Sequence, residues 1–201
     1  MSKRLVLASH NPKKAAELRA ILVPQGIELL DLTAFPDAPE PVEDGATFAD
    51  NAVIKAESAM KYTGIAALAD DSGLVVDALE GEPGVRSARF AGDNAGDAEN
   101  NLLLLKKLAG LPPGKRQARF VSVIALAVPG GGVRLFQGET RGRILEKPRG
   151  EAGFGYDPLF ISDDLGVTFA EADAGDKNRV SHRGRALGEL IHLLRSGEVE
   201  L

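Results

Sequence analysis

The chain contains no cysteine in its 201 residues, which excludes disulfides and thiolate-bound metals and fits a reducing compartment. No apolar stretch approaches the roughly 18 residues that a membrane span requires. The early apolar run Leu5-Val6-Leu7-Ala8 gives way at once to the polar turn Ser9-His10-Asn11-Pro12, too brief for a secretory signal. A soluble, cytoplasmic protein with no membrane partner is therefore expected. Positive charge is also in deficit, 24 Lys and Arg against 29 Asp and Glu, a net charge of −5. That balance argues against a nucleic-acid polymer as partner. There is no glycine-rich Walker or dinucleotide loop, no internal repeat and no low-complexity segment. Any phosphate site must be assembled from separate parts of the chain.

The composition that remains, 44% hydrophobic and 26% charged, is that of an ordinary globular protein. The length suits a single domain, or one domain with a lobe, able to bury a full core. Leu5 to Ala8 reads as a short buried strand that passes through the polar turn into a helix of about Lys13 to Leu22. Residues 35–43 hold Pro36, Pro39 and Pro41 and read as a loop. Thr47 with Asp50 three residues on is a capping signal for a helix from Phe48 to about Tyr62. Strands are expected at 65–69 and 74–79 with a sharp turn at Gly73, then a helix capped by Asp97 with its core at Leu102 to Leu108. Arg119–Val128 and Val133–Gln137 read as a hairpin joined by Pro129 and three glycines. A glycine-punctuated loop then leads into Leu159-Phe160-Ile161, and a final helix carries Leu187, Leu190, Ile191 and Leu194 ahead of Gly197. This mixed order predicts an α/β fold with a mixed sheet.

The most informative segment is Ala69-Asp70-Asp71-Ser72-Gly73-Leu74. Carboxylates are hard oxygen ligands, so a pair at a strand end suits Mg²⁺ and a general base for water. Successive strand residues point to opposite faces, so the two acids share one site only if the strand gives way to a turn. The competing reading is a plain turn in which the Asp side chains bond their own backbone.

Other segments carry compatible chemistry. Ser9, Asn11 and Lys14 sit on a strand-to-helix turn, where free backbone N–H groups and the helix dipole attract anions and a lysine adds a point charge. Ser9 and Asn11 serve equally well as plain caps. Asn51 and Lys55, four apart, share one helix face, and Glu43 in the preceding loop is a further oxygen donor. In Gly153-Phe154-Gly155-Tyr156-Asp157-Pro158 two glycines flank an aromatic ring, which suits stacking with a nucleobase; a tight turn with Phe154 in the core is the alternative. Ser181-His182-Arg183, after Lys177, offers donors for a purine carbonyl or a solvated helix start. Arg141, Arg143, Lys147 and Arg149 read as surface charge.

Taken together, LASHNPKKAAEL (7–18), TFADNAVIKA (47–56), ALADDSGLVVDAL (67–79), PGVRSARFAG (83–92), GFGYDPLF (153–160) and KNRVSHRGRAL (177–187) resemble, in order, the blocks of the inosine/xanthosine triphosphate pyrophosphatase family. The resemblance spans nearly the whole chain. It implies one domain with a long central mixed β-sheet and helices, two lobes forming a nucleotide-binding cleft, and usually a homodimer. It implies Mg²⁺-dependent hydrolysis of ITP, dITP or XTP to the monophosphate and pyrophosphate, a cleansing of the nucleotide pool. Position by position, Ser9, Asn11, Lys14, Lys55 and Lys177 match phosphate-binding residues, with Asn51 close to them and Ser72 among the substrate contacts. Glu43, Asp70 and Asp71 match metal-linked acids, and Asp71 matches the general base that activates water at the α-phosphorus, with Lys14 and Lys55 beside it. Phe154, Asp157, His182 and Arg183 match the base pocket, its loop shaped by Gly153, Gly155 and Tyr156. His10 departs from the family pattern, in which many members carry a small residue, and receives no role.

Overall fold

The computed structural model describes residues 3–199 and 201. Among them lie six strands: β1 (Lys3–Leu7), β2 (Ile27–Asp31), β3 (Ala67–Val76), β4 (Gln117–Val128), β5 (Gly132–Ile144) and β6 (Phe160–Ser162). Five α-helices accompany them: α1 (Pro12–Leu22), α2 (Phe48–Thr63), α3 (Asp97–Lys107), α4 (Ala174–Val180) and α5 (His182–Ser196). The strands form one sheet in the order β2-β1-β3-β4-β5-β6. Strand β1 runs parallel to both β2 and β3, whereas β5 and β6 are antiparallel, so the sheet is mixed and the α/β class holds. No helix among the described residues is long and apolar enough to cross a membrane.

The chain divides into two compact units. The first comprises Met1–Asp71, Ser122–Gly138 and Arg183–Leu201, the second Ser72–Val121 and Glu139–His182.

In the first unit the period-two alternation of strand side chains sorts residues between two helical layers. Leu5 and Leu7 of β1, Leu68 of β3 and Ile124 and Leu126 of β4 pack with Leu18 and Leu22 of α1 and Leu187, Leu190 and Leu194 of α5. Their strand neighbours Val6, Ala67, Ala69, Val123 and Ala125 pack with Ala52, Ala56 and Ala59 of α2. Local signals set the helix starts. Asn11 caps α1, its side chain accepting from the N–H groups of Lys13 and Lys14 at 3.0 and 3.1 Å, and Pro12, lacking an N–H, occupies the first helical position. Helix α2 opens with the expected capping box: Asp50 N–H donates to Thr47 Oγ1 at 3.1 Å, and Thr47 N–H donates to Asp50 Oδ2 at 3.0 Å.

The second unit has its own core, in which Leu74 and Val76 of β3 and Leu104 and Leu108 of α3 and its end meet Phe120, Ile144, Tyr156, Phe160 and Phe169. The guanidinium of Arg116 is buried there. It donates to three backbone carbonyls, those of Leu108 at 2.8 Å, Ile144 at 2.9 Å and Leu145 at 3.0 Å. Leu108 is the residue at which α3 ends, so the cation meets the negative end of that helix dipole.

Three local expectations are corrected. Strand β3 does not turn at Gly73 but runs unbroken from Ala67 to Val76. The glycine is required for close approach instead: a Cβ there would collide with the Gly84 carbonyl and with the side chain of Ser87. Asp97 is not the cap of α3 but its first residue, the capping position being Gly96, whose N–H donates to Glu99 at 2.8 Å. Leu102, assigned to that helix's apolar core, is 69% exposed, and Leu104 and Leu108 carry the contact. Replacing Gly73 by Ala should overpack this approach and lower stability by roughly 1–3 kcal/mol, read as a reduced urea midpoint with an unchanged slope.

Candidate active site

Because β3 continues through Asp70 and Asp71, the two carboxylates keep the strand's alternation and take different partners. Asp70, 2% exposed, is ringed by donors. Ser122 of β4 donates its hydroxyl to Oδ1 at 2.6 Å, Arg183 Nε donates to Oδ2 at 3.1 Å, and Lys14 Nζ lies 3.1 Å from the same oxygen. Arg183 also donates through Nη1 to Glu17 of α1 at 2.7 Å. Glu17 stands three residues beyond Lys14, on the same side of the helix. This is the α1/α5 side of the sheet, on which Leu68 and Ile124 also lie.

Asp71 serves the α2 side. Its Oδ1 accepts from Lys55 Nζ at 2.9 Å, and the same ammonium donates to Glu43 at 3.0 Å. Asp71 Oδ2 is buried and has no hydrogen-bond partner. Asn51 fixes the segment that brings Glu43 here, for its side-chain oxygen accepts from Gly45 N–H at 2.9 Å and its amide donates to the Gly45 carbonyl at 3.4 Å. A Cβ on Gly45 would collide with that amide, so the loop passes as close to α2 as glycine allows.

Burial governs the ionisation of this cluster. It pushes the Asp71 carboxyl above the ordinary aspartate range, and the attraction of Lys55 and Lys14 offsets only part of that rise. Burial also pulls Lys14 below the usual lysine value; Asp70 opposes this, while Arg183 and Lys55 add to it. For Lys55 burial acts in the same direction, but its bonds with Asp71 and Glu43 outweigh it and leave the ammonium more basic than usual.

The second unit gathers the other expected residues. Asp157 Oδ2 accepts from Phe154 N–H at 2.9 Å and from Lys177 Nζ at 2.6 Å. That ammonium lies 5.1 Å from the centroid of the Phe154 ring and 5.6 Å from that of Phe169, within cation–π range. The His182 ring stacks on Phe120 at 4.9 Å between centroids, 13° from parallel. Tyr156 is buried, its hydroxyl donating to the Ser87 carbonyl at 2.9 Å.

Lys177, matched to the phosphates, lies beside Phe154 and Asp157. Arg183, matched to the base pocket with His182, lies with Glu17 and Asp70, and the two neighbours fall in different units. Asp70, matched to the metal-linked acids, has cations and a hydroxyl around it. Ser9 Oγ accepts from Asn11 N–H at 3.2 Å, a bond within the turn that precedes α1, and Asn11 is the cap. Ser72 is half-buried directly after Asp71, and His10 is exposed. Glu17 and Ser122 were not foreseen. Each carried a faint signal, an acid one turn beyond Lys14 and a lone hydroxyl in the apolar run Phe120 to Val128.

Among the described residues no three His, Cys, Asp or Glu side chains converge as a cage for a metal. A two-carboxylate arrangement is nevertheless present. Mg²⁺ is commonly held by one or two carboxylates together with substrate phosphates, and Asp71, whose Oδ2 is unpartnered, with Glu43, joined to it through Lys55, fits that pattern. Truncating Arg183 to Ala would leave Glu17 and Asp70 without their shared counter-charge. Removal of one member of a buried pair costs about 3–5 kcal/mol, so a loss of that size in urea denaturation is expected, with Arg183→Lys recovering part of it.

Comparisons with known proteins place the chain among relatives. A dITP/XTP pyrophosphatase of Geobacter sulfurreducens is 54% identical over 187 residues, covering 93% of this chain and 94% of that protein. One of Frankia alni is 51% identical over 197 residues, covering 96% and 97%. The solved structure of a HAM1 protein from Coxiella burnetii superposes with a TM-score of 0.87 at 43% identity, covering 96% of this chain and 99% of that one. The model of the Ham1 family matches residues 5–193; with its six sequence blocks and its fold, the chain belongs to the Ham1 family.

Proposed function

We propose that this protein hydrolyses non-canonical purine nucleoside triphosphates, dITP, XTP and ITP, to the nucleoside monophosphate and pyrophosphate. The observation that carries the reading is Asp71: one carboxylate oxygen is held by Lys55, and the other is buried with no hydrogen-bond partner. Buried acceptors are almost always satisfied, so an idle oxygen among cations marks a position reserved for water or a ligand. The names of the relatives supply the substrate class.

The cations Lys14 and Lys55 suit the charged phosphates, and compensation of the departing pyrophosphate lowers the barrier to its release. Asp71 accepts a proton from the water that attacks the α-phosphorus. An aspartate is ionised at neutral pH in the ordinary case, so it can accept that proton without any special activation. Glu43 and Asp71 would hold the Mg²⁺ ion. When bound, Mg²⁺ supplies charge neutralisation on the phosphate oxygens. In this reading Asp70 is the counter-ion that holds Lys14 and Arg183, not a ligand of the metal.

Base recognition is assigned to the second unit. Phe154 offers a π surface, and Lys177 and His182 offer donors suited to a 6-oxo group. An adenine amino group facing a donor would leave that donor unpaired, costing roughly 1–3 kcal/mol, or about 5- to 150-fold in discrimination. The protein is further proposed to work in the cytoplasm, as a homodimer and a single two-lobed domain.

Three measurements test this reading. Incubation with dITP, dATP and Mg²⁺ should yield monophosphate and pyrophosphate from dITP and little from dATP; orthophosphate release, or equal turnover of both, would overturn it. Asp71→Asn should lower kcat by about 10²–10⁴-fold with a much smaller change in KM. The same variant should melt higher than the wild type in EDTA at neutral pH. With the Asp71 pKa raised in the folded state, the native protein binds more protons than the unfolded one above the ordinary aspartate value near ~4. Stability therefore falls as pH rises through that window, and the advantage of the variant should vanish as the pH is brought down to it.

A further inference from the structure

The segment that carries Phe154 is held by more than its own residues. Asp157 takes the Phe154 N–H, and Ser87 takes the Tyr156 hydroxyl. Between them lies Gly155, in the left-handed region with φ +59°. Both polar groups of this residue are held by one helix: Gly155 N–H donates to Asp97 Oδ2 at 2.9 Å, and its carbonyl accepts from Asn101 Nδ2 at 2.8 Å. Asp97 and Asn101 are four residues apart on α3 and so share a face. Asp97 is not the cap of that helix, a role taken by Gly96 with Glu99. Asn101 is an uneconomical choice for stability alone. Its Oδ1 is enclosed and has no hydrogen-bond partner, an unsatisfied acceptor that an apolar side chain would avoid.

We propose that Asp97 and Asn101 are positioning residues for base recognition, a two-point clamp on Gly155 that keeps Phe154 to Asp157 in the conformation that recognises a 6-oxo purine. The inference rests on the assignment of the base pocket given above. Glycine populates both signs of φ with similar ease, so nothing intrinsic to Gly155 maintains +59°. Without the clamp the recognising conformation becomes one of several, and apparent affinity falls in proportion to its population. A nucleotide that gains little from the pocket, such as dATP, loses little by its disorder. A nucleotide that depends on it loses the most.

The test is steady-state kinetics on dITP and dATP with Asp97→Ala, Asn101→Ala and the conservative Asp97→Asn, which retains an acceptor oxygen for Gly155 N–H. Both alanine variants should raise KM for dITP by about tenfold, as a tenfold drop in the competent population requires, with kcat changed less than twofold. The ratio of kcat/KM for dITP to that for dATP should fall by a similar factor, and Asp97→Asn should restore most of it. A purely structural contribution would depress both nucleotides alike. An equal loss for dITP and dATP, or an Asp97→Asn variant as impaired as Asp97→Ala, would overturn the clamp. Should Asn101→Ala fail to fold, Asn101→Asp preserves the side chain's size, cannot donate to Gly155 and carries the same expectation. Wild-type protein with no preference for dITP over dATP would instead refute the base-pocket assignment, and the clamp would fall with it.

Discussion

A carboxylate placed in the middle of a buried strand forces much of what surrounds it. Asp70 lies where the sheet of the first unit would otherwise present an apolar residue, and an isolated ion there would be prohibitively unstable. Its oxygens therefore draw a lysine from α1, an arginine from α5 and a hydroxyl from β4. The arginine in turn requires Glu17. Each group is tolerable only because the others are present, so the network ties two helices and two strands together in a way that hydrophobic contact alone would not specify. It also positions Lys14 with its charge under strain, since burial makes that ammonium easier to deprotonate than an ordinary lysine.

Strand geometry then gives two adjacent acids different surroundings. Because β3 does not turn, Asp70 and Asp71 face opposite layers, and each takes its hydrogen-bond partners from different elements. Asp71 has Lys55 on one oxygen and nothing on the other. The contrast between a saturated and an unsaturated carboxylate, one residue apart, is invisible in the identity of either residue.

The sequence made the local features legible and left the long-range ones hidden. Asn11 before Pro12, and Thr47 three residues ahead of Asp50, announce helix starts through bonds made within one turn, and the structure contains them. The apolar alternation of Leu5-Val6-Leu7 and of the run through Ile124 is likewise a local property. Gly73 misled because glycine signals two things, a turn or a close approach, and the partner that decides between them, Gly84 with Ser87, lies over ten residues away. The charge of Lys177 suggests phosphate, and nothing local announces its ion pair with Asp157, twenty residues earlier. Arg183 and His182 are neighbours in the chain, and only the fold shows that they fall in different units. Six blocks in the right order identified the family, whereas the division of labour inside each block depended on contacts that no spacing encodes.

Arg116 has a consequence beyond the core it occupies. Its guanidinium secures the carbonyl of Leu108, at the C-terminal end of α3, while Asp97 and Asn101 engage Gly155 from the first turns of the same helix. The eleven residues of α3 span about 16 Å at 1.5 Å per residue. Tethered at both ends, the helix behaves as a gauge block: its length, not the flexibility of the glycine loop, sets where Gly155 rests relative to the end of β5, to which Arg116 also binds through Ile144 and Leu145.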